Sequence, residues 1–188
     1  MDAIVDIARE IARTKLEDSL PRRWSHVRAV AAKARTISEA VSHEDRDALV
    51  ASAWLHDVGY SPDLVDTGFH SLDGGRWLRR ERFDDRIAGL VAHHSCAWME
   101  AEERGLHDAL AAEFPREESA VVDALCFSDM TTGPDGQDFD VLERLAEIRS
   151  RYGPKHLVTR FIDRAEPEMV AAVQRTQTRF AQRSPQPM

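Results

Sequence analysis

Apolar residues recur at helical spacing along nearly the whole of this chain, and nowhere does an apolar–polar alternation run for more than a few positions. Strands need that two-residue period, or a bounded run of β-branched and aromatic residues, so the pattern excludes sheets, sandwiches and barrels and leaves an all-α bundle. The set Ile4, Ile7, Ala8 and Ile11 predicts a helix over Ala3–Leu16, and Val27, Val30, Ala31, Ala34 and Ile37 predict a second over residues 22–41. Ser42-His-Glu-Asp45 reads as a capping box for a third, over residues 44–56, that turns Leu49, Val50, Ala53 and Trp54 inward. Further helices are expected over His70–Arg80 and over residues 84–94, 99–112, 117–130, 138–152, 156–164 and 167–181. In the 138–152 helix the inner stripe is Phe139, Leu142, Leu145 and Ile148, and Pro167 opens the last helix. Residues 60–68 and 131–137 read as loops, and residues 183–188 as a disordered tail.

With 188 residues, no internal repeat and no low-complexity block, one domain over residues 1–182 accounts for the chain. A chain of this length buries roughly two thirds of its unfolded surface, so its core stands without disulfides or a structural metal. Any metal is therefore there for chemistry. Cys96 and Cys126 lie far apart in no C-x-x-C pairing, which excludes zinc ribbons and thioredoxin-like sites and fits a reducing cytoplasm. No run of about 18 apolar residues is present, and the first residues lack the pattern of a secretory signal, so no membrane partner is expected. The 25 Lys and Arg against 33 Asp and Glu leave a net charge of −8, with basic residues scattered in pairs. That distribution argues against stable nucleic-acid binding, and an anionic small substrate would need a local cationic centre.

Such a centre is written in the histidines. His26 stands at the edge of the apolar stripe in Trp24-Ser-His-Val-Arg-Ala-Val30, and Trp54-Leu-His-Asp-Val-Gly59 ends an apolar helix on a His–Asp pair. A carboxylate buried beside an imidazole costs several kcal/mol unless a cation or strong donors compensate. His70 opens Phe69-His-Ser-Leu-Asp-Gly-Gly75, whose glycines permit close helix packing. Residues 87–95 carry an apolar helix into the doublet His93-His94, and Asp129 follows the apolar stretch 121–127. A divalent metal satisfies imidazole and carboxylate together, and helices of a bundle aim such side chains at one centre. By contrast, His43, His107 and His156 lie in polar surroundings and read as surface residues.

The order His26, then His56-Asp57, then Asp129, on an all-helical chain of this size, resembles the HD superfamily of metal-dependent phosphohydrolases over residues 22–136. The resemblance implies a single-domain bundle of the HD-domain type, with its metal-site core at about residues 22–136 and C-terminal helices over 138–182. It implies that His26, His56, Asp57 and Asp129 ligate one divalent metal. Members with further His between the doublet and the final Asp hold a second ion, which implies His70, His93 and His94 as its ligands and Asp57 as the bridge. Mn or Fe is implied first, with Mg, Co, Ni and Zn as further options. The HD-GYP hydrolases of cyclic di-GMP carry a Lys where this chain has Tyr60, and Gly-Tyr-Pro after the His pair where it has Ser95-Cys-Ala97. The small HD enzymes that split diadenosine tetraphosphate carry Pro-Gly-Arg after the final Asp, where Met130-Thr-Thr-Gly-Pro-Asp135 keeps the turn without the Arg. Three-metal members place an acidic residue one turn before the first His, where Arg22 and Arg23 stand, so two ions are the limit.

A pair of ions held by the implied ligands would supply a Lewis acid for a phosphate oxygen and a water ionised near neutral pH, the chemistry of in-line attack on phosphorus. The implied reaction is hydrolysis of a phosphate ester or anhydride in a small, nucleotide-like phosphorylated substrate, with Asp57 and His94 as catalytic residues. Arg22 and Arg23, one turn before His26, and Thr131, beside Asp129, are the expected substrate contacts. The field of the ions outweighs the diffuse negative charge of the chain. Two other readings share the ligand set: a diiron oxygenase of the same fold, and a non-catalytic regulator that binds metal or nucleotide.

Overall fold

The apolar stripes wind into ten α-helices over residues 3–183, the residues that the computed structural model describes, and no strand forms among them. In chain order these are α1 (Ala3–Leu16), α2 (Pro21–Thr36), α3 (Arg46–Leu55), α4 (His70–Arg80), α5 (Asp85–His93), α6 (Ala97–Arg104), α7 (His107–Glu113), α8 (Ala120–Met130), α9 (Val141–Tyr152) and α10 (Leu157–Arg183). The fold is all-α, as the periodicity required. The start of the tail differs from expectation, because Arg183 still belongs to α10 and donates to the Val41 carbonyl oxygen; residues 184–188 lie outside the described residues.

Local chemistry sets most helix starts. Asp84 accepts from the Ile87 amide to open α5, and Ser119 accepts from Val121 and Val122 to open α8. The reciprocal capping box forms at Asp140 and Glu143, ahead of α9. The box expected at Ser42 does not form: Ser42 Oγ donates to Asp45 Oδ2 instead, and a short 3-10 turn, His43–Asp45, leads into α3. The expected 99–112 helix is two, α6 and α7, because Gly105 takes a left-handed φ of 69° and ends the first. The reverse holds near the C-terminus, where Pro167 lies inside one continuous α10 rather than opening a new helix. A mid-helix proline loses one hydrogen bond. Buried residues on both sides of Pro167, Phe161 and Ile162 before it and Met169 and Val173 after it, belong to one core cluster with Met130 of α8 and Leu145 of α9 and hold the rod together.

α3 is the central element, packed against α1, α2, α5 and α8, with Leu49, Ala51, Ala53 and Leu55 fully buried. On α1 the inward face is Val5, Ala8, Ala12 and Leu16, and Ile7, expected inside, is mostly exposed. α4 and α5 pack side by side, which depends on Gly75: a Cβ there would lie 2.8 Å from Ala92 Cβ. Gly59 is tighter still, since its Cβ would lie 2.0 Å from the His70 carbonyl oxygen and 2.6 Å from the Gly74 amide. The turn after Asp57 and the start of α4 are thereby pressed backbone to backbone. Replacing Gly59 with Ala should destabilise the protein by about 3 kcal/mol, read as a lower urea midpoint, because backbone rather than a flexible side chain must give way. An unchanged midpoint would contradict this contact. No helix among the described residues is long and apolar enough to cross a membrane.

Candidate metal centre

Helix ends deliver the ligands. α3 ends on His56 and Asp57, α4 begins at His70, α5 ends at His93 before His94, α8 carries Asp129 in its last turn, and α2 presents His26 from its first half. The last carbonyls of a helix have no intrahelical partner, and two of them orient imidazoles here. His56 Nδ1 donates to Ala53 O at 2.8 Å and His94 Nδ1 to Val91 O at 2.6 Å, while His26 Nδ1 donates to Gly133 O at 2.9 Å in the loop after α8. A carbonyl only accepts, so each Nδ1 carries a proton, and the Nε2 lone pair of the neutral ring is the one left to bind a metal.

Those lone pairs converge. His26 Nε2 lies 3.4 Å from His56 Nε2 and 3.1 Å from Asp129 Oδ1, and His70 Nε2 lies 3.2 Å from His94 Nε2. His26, His56 and Asp129 form one group of possible ligands, and Asp57, His70 and His94 form another. Asp57 faces both: Oδ2 is 3.4 Å from His56 Nε2 and 3.8 Å from His26 Nε2, and Oδ1 is 3.5 Å from His70 Nε2. Metal bonds of about 2.1 Å place neighbouring ligand atoms about 3.0–3.4 Å apart, close to these separations. Imidazoles and carboxylates buried together at such distances could hold a divalent cation.

The electrostatics agree. Burial alone would raise both acids, but Arg23 and His56 hold Asp57 well below the usual carboxylate range, and the His26 hydrogen bond with the charge of His56 does the same for Asp129. Burial lowers His70 and His94, which stay neutral. Burial also pulls His56 down, yet the charges of Asp57 and Asp129 outweigh it and lift it to about 9. In the metal-free protein a proton on His56 thus stands where a cation would. A histidine raised above its ordinary 6.5 stabilises the fold fully below that pH and loses the contribution as pH rises through 9. The chelator-treated protein should lose about 2 kcal/mol between pH 6.5 and 9.5, several degrees in Tm, and saturating Mn should remove the slope. A flat profile without metal would contradict the His56 assignment.

The structure brings six of the seven expected ligands together. His93 stays apart: its Nε2 donates to Phe114 O at 2.8 Å, and its Nδ1 is buried without a hydrogen-bond partner among the described residues. His93 closes α5 and His94 leaves it with φ of −57° and ψ of 149°, so the two side chains part and only His94 joins a ligand group. Of the expected substrate contacts, Arg23 lines the cavity over the ligands, donates to Asp57 Oδ2 at 2.7 Å and stacks on Tyr60. Arg22 pairs instead with exposed Asp135, and Thr131 Oγ1 donates to Phe127 O and accepts from Lys33. Both are structural contacts at the edge of the 131–137 turn. His43, His107 and His156 are exposed.

Several groups at the centre carry no motif. Ser95 Oγ donates to Asp129 Oδ2 at 2.5 Å, which leaves Oδ1 for His26. Tyr60 stacks on His70 with centroids 4.0 Å apart. Asp73, one turn beyond His70, accepts from the amides of Asp66, Thr67 and Gly68 and secures the loop that enters α4. Buried Glu100 and Arg144 line the cavity with the ligands. A larger cavity, about 720 Å³, lies beyond the Ser95–Cys96 turn, bordered by Trp98, Asp123 and Arg175. None of the six ligands lies on its wall, so size does not locate the chemistry.

The sequence matches the family model for the HD domain over residues 23–165, about three quarters of the chain, and the chain belongs to the HD-domain family. The match extends past residue 136 to include α9 and the start of α10. Over 79 residues the chain is also 34% identical to a tRNA (cytidine(56)-2'-O)-methyltransferase of Thermoplasma volcanium, covering 42% of this chain and 22% of that protein. The chain therefore corresponds to about a fifth of that relative's length. Comparison with solved structures found no match.

Proposed function

We propose that this HD-domain protein is a metal-dependent phosphohydrolase that cleaves a phosphate ester or anhydride in a small, nucleotide-like substrate. One observation carries the reading: Asp57 turns one oxygen toward each of two ligand groups, His26–His56–Asp129 and its own with His70 and His94. A bound metal pair supplies a Lewis acid and a water that ionises near neutral pH, the chemistry that phosphoryl transfer to water requires. The chain's own residues prepare the site. The carbonyls of Ala53, Val91 and Gly133 fix the tautomers of three imidazoles, and Ser95 orients Asp129. Arg23 and Arg144 set positive charge on the cavity wall against an incoming anion. Free Cys96 and Cys126 support a cytoplasmic setting. The methyltransferase likeness covers too little of that enzyme to bring its reaction here.

The deciding experiment is anaerobic reloading of chelator-stripped protein with Mn, followed by a phosphate-release screen over nucleotides, dinucleoside polyphosphates and cyclic dinucleotides. Metal-dependent release of phosphate, abolished by chelation, is the expected result. Four imidazoles and two carboxylates also suit iron. Iron-dependent oxygen consumption, with no phosphate released under any metal, would replace the hydrolase by the diiron oxygenase.

A further inference from the structure

Arg144 occupies a place that α9 ordinarily gives to an apolar residue. The buried stripe of the helix is Val141, Arg144, Leu145 and Ile148, spaced i, i+3, i+4 and i+7, while Leu142 is 54% exposed. A guanidinium on a core stripe is costly unless its donors are satisfied. Only part of that requirement is met: Nη1 pairs with Glu147 on the same helix, and Nε is buried with no hydrogen-bond partner among the described residues. The side chain lines the cavity over the ligands together with Asp57, His70, His94 and Asp129. Arg23 and Arg151 join it there, and Arg151 is held 3.1 Å from the same Glu147. A buried donor left open beside a cluster that assembles cations calls for an anion as its partner.

The space over the ligands limits which anion. The cavity measures about 90 Å³, enough for one tetrahedral oxyanion, whereas pockets that bury a whole drug-sized ligand run from roughly 300 Å³ upward. A terminal phosphoryl group fits with its organic remainder outside. An internal phosphodiester would have to pass two organic arms through the opening that a monoester passes one through. We propose that Arg144 grips the terminal phosphoryl group of the substrate, and that the site takes phosphomonoesters or terminal anhydride phosphates, indifferent to the organic part, rather than diesters. The fate of that group rests on the hydrolase reading above; its binding does not.

The probe is radiolabelled orthophosphate, measured by equilibrium dialysis against Mn-loaded full-length protein, with the metal content of each sample determined. Arg144→Gln should weaken phosphate binding roughly 10- to 100-fold at unchanged metal content, the loss of a charge-assisted contact. Arg160→Gln, on the exposed face of α10, should leave it unchanged. Glycerol phosphate and nucleoside monophosphates should displace phosphate within about threefold of one another, and cyclic mononucleotides should not displace it. Phosphate binding unaltered in Arg144→Gln, or a diester that competes as well as a monoester, overturns the proposal. If Arg144→Gln does not fold or loses its metal, Arg144→Lys carries the test, because it keeps the charge and loses the planar fork; wild-type affinity in that variant overturns it too. Phosphate gripped through Arg144 with no ester hydrolysed under any metal would sink the hydrolase reading and leave this seat standing. Hydrolysis with intact phosphate binding in the variants would do the opposite.

Discussion

Asp57→Ala should cost the protein both metal ions. Its carboxylate turns one oxygen to each ligand group, with Oδ2 toward His56 and His26 and Oδ1 toward His70. Its removal leaves His70 and His94 as two neutral imidazoles with no charge between them, and leaves the other group with Asp129 alone to balance a dication. Elemental analysis after exhaustive dialysis should fall from about two ions per chain to well under one, and hydrolysis by about a thousandfold or more, since ionised water at neutral pH depends on the metal. Asp57→Asn separates charge from shape, because the amide preserves the volume and loses the anion. Full occupancy in both variants would remove the metal centre from consideration. The same substitutions free Arg23, whose guanidinium sits 2.7 Å from Asp57 Oδ2. A modest loss of stability in the metal-free state is expected for that reason and does not bear on metal content.

His94→Ala should have the second-largest effect, and its character differs. His94 belongs only to the Asp57–His70 group, so its loss should lower the stoichiometry from about two ions to about one while His26, His56 and Asp129 keep theirs. Turnover should drop by about a hundredfold or more, with the remaining ion still measurable. The neighbouring residue supplies the control. His93 donates to Phe114 O rather than entering the centre, so His93→Ala should keep both ions and lower stability by about 1–3 kcal/mol through the unpaired carbonyl it leaves. If His93→Ala sheds an ion and His94→Ala does not, His93 rather than His94 is the ligand.

That doublet shows where sequence reasoning stops. Both histidines close an apolar helix, and nothing in residues 87–95 distinguishes them. The choice is made where the chain leaves α5: His93 is its last residue and His94 departs extended, with Ser95 and Cys96 following in the left-handed region, neither of them glycine, a conformation that tertiary contacts must impose because local preference opposes it. Arg22 and Thr131 miss the cavity for a related reason. One turn of separation from a ligand puts a side chain on the right face of a helix, but Asp135 and Lys33, brought in from elsewhere in the chain, capture these two first. Arg144 is the converse case. An arginine in an amphipathic stretch reads as a solvated charge, and with Leu142 available the stripe is drawn through the leucine. Where α9 packs against α8 and α10, the face is rotated and Arg144 is taken inside.

The sequence by itself determined the helical class, the helices that bear ligands, and six of the residues that meet at the centre. Most of those signals are local: a 3.6-residue apolar period, or a polar group in or at the end of an apolar helix where burial without a cation would be costly. His70 is the exception, implied only by the resemblance to the HD superfamily. Tertiary structure alone decided which of two adjacent histidines turns inward, which arginines reach the cavity, and how large that cavity is. These outcomes depend on rotations and close approaches between helices far apart in the chain, such as the backbone contact of Gly59 with His70, and no spacing along a single helix encodes them.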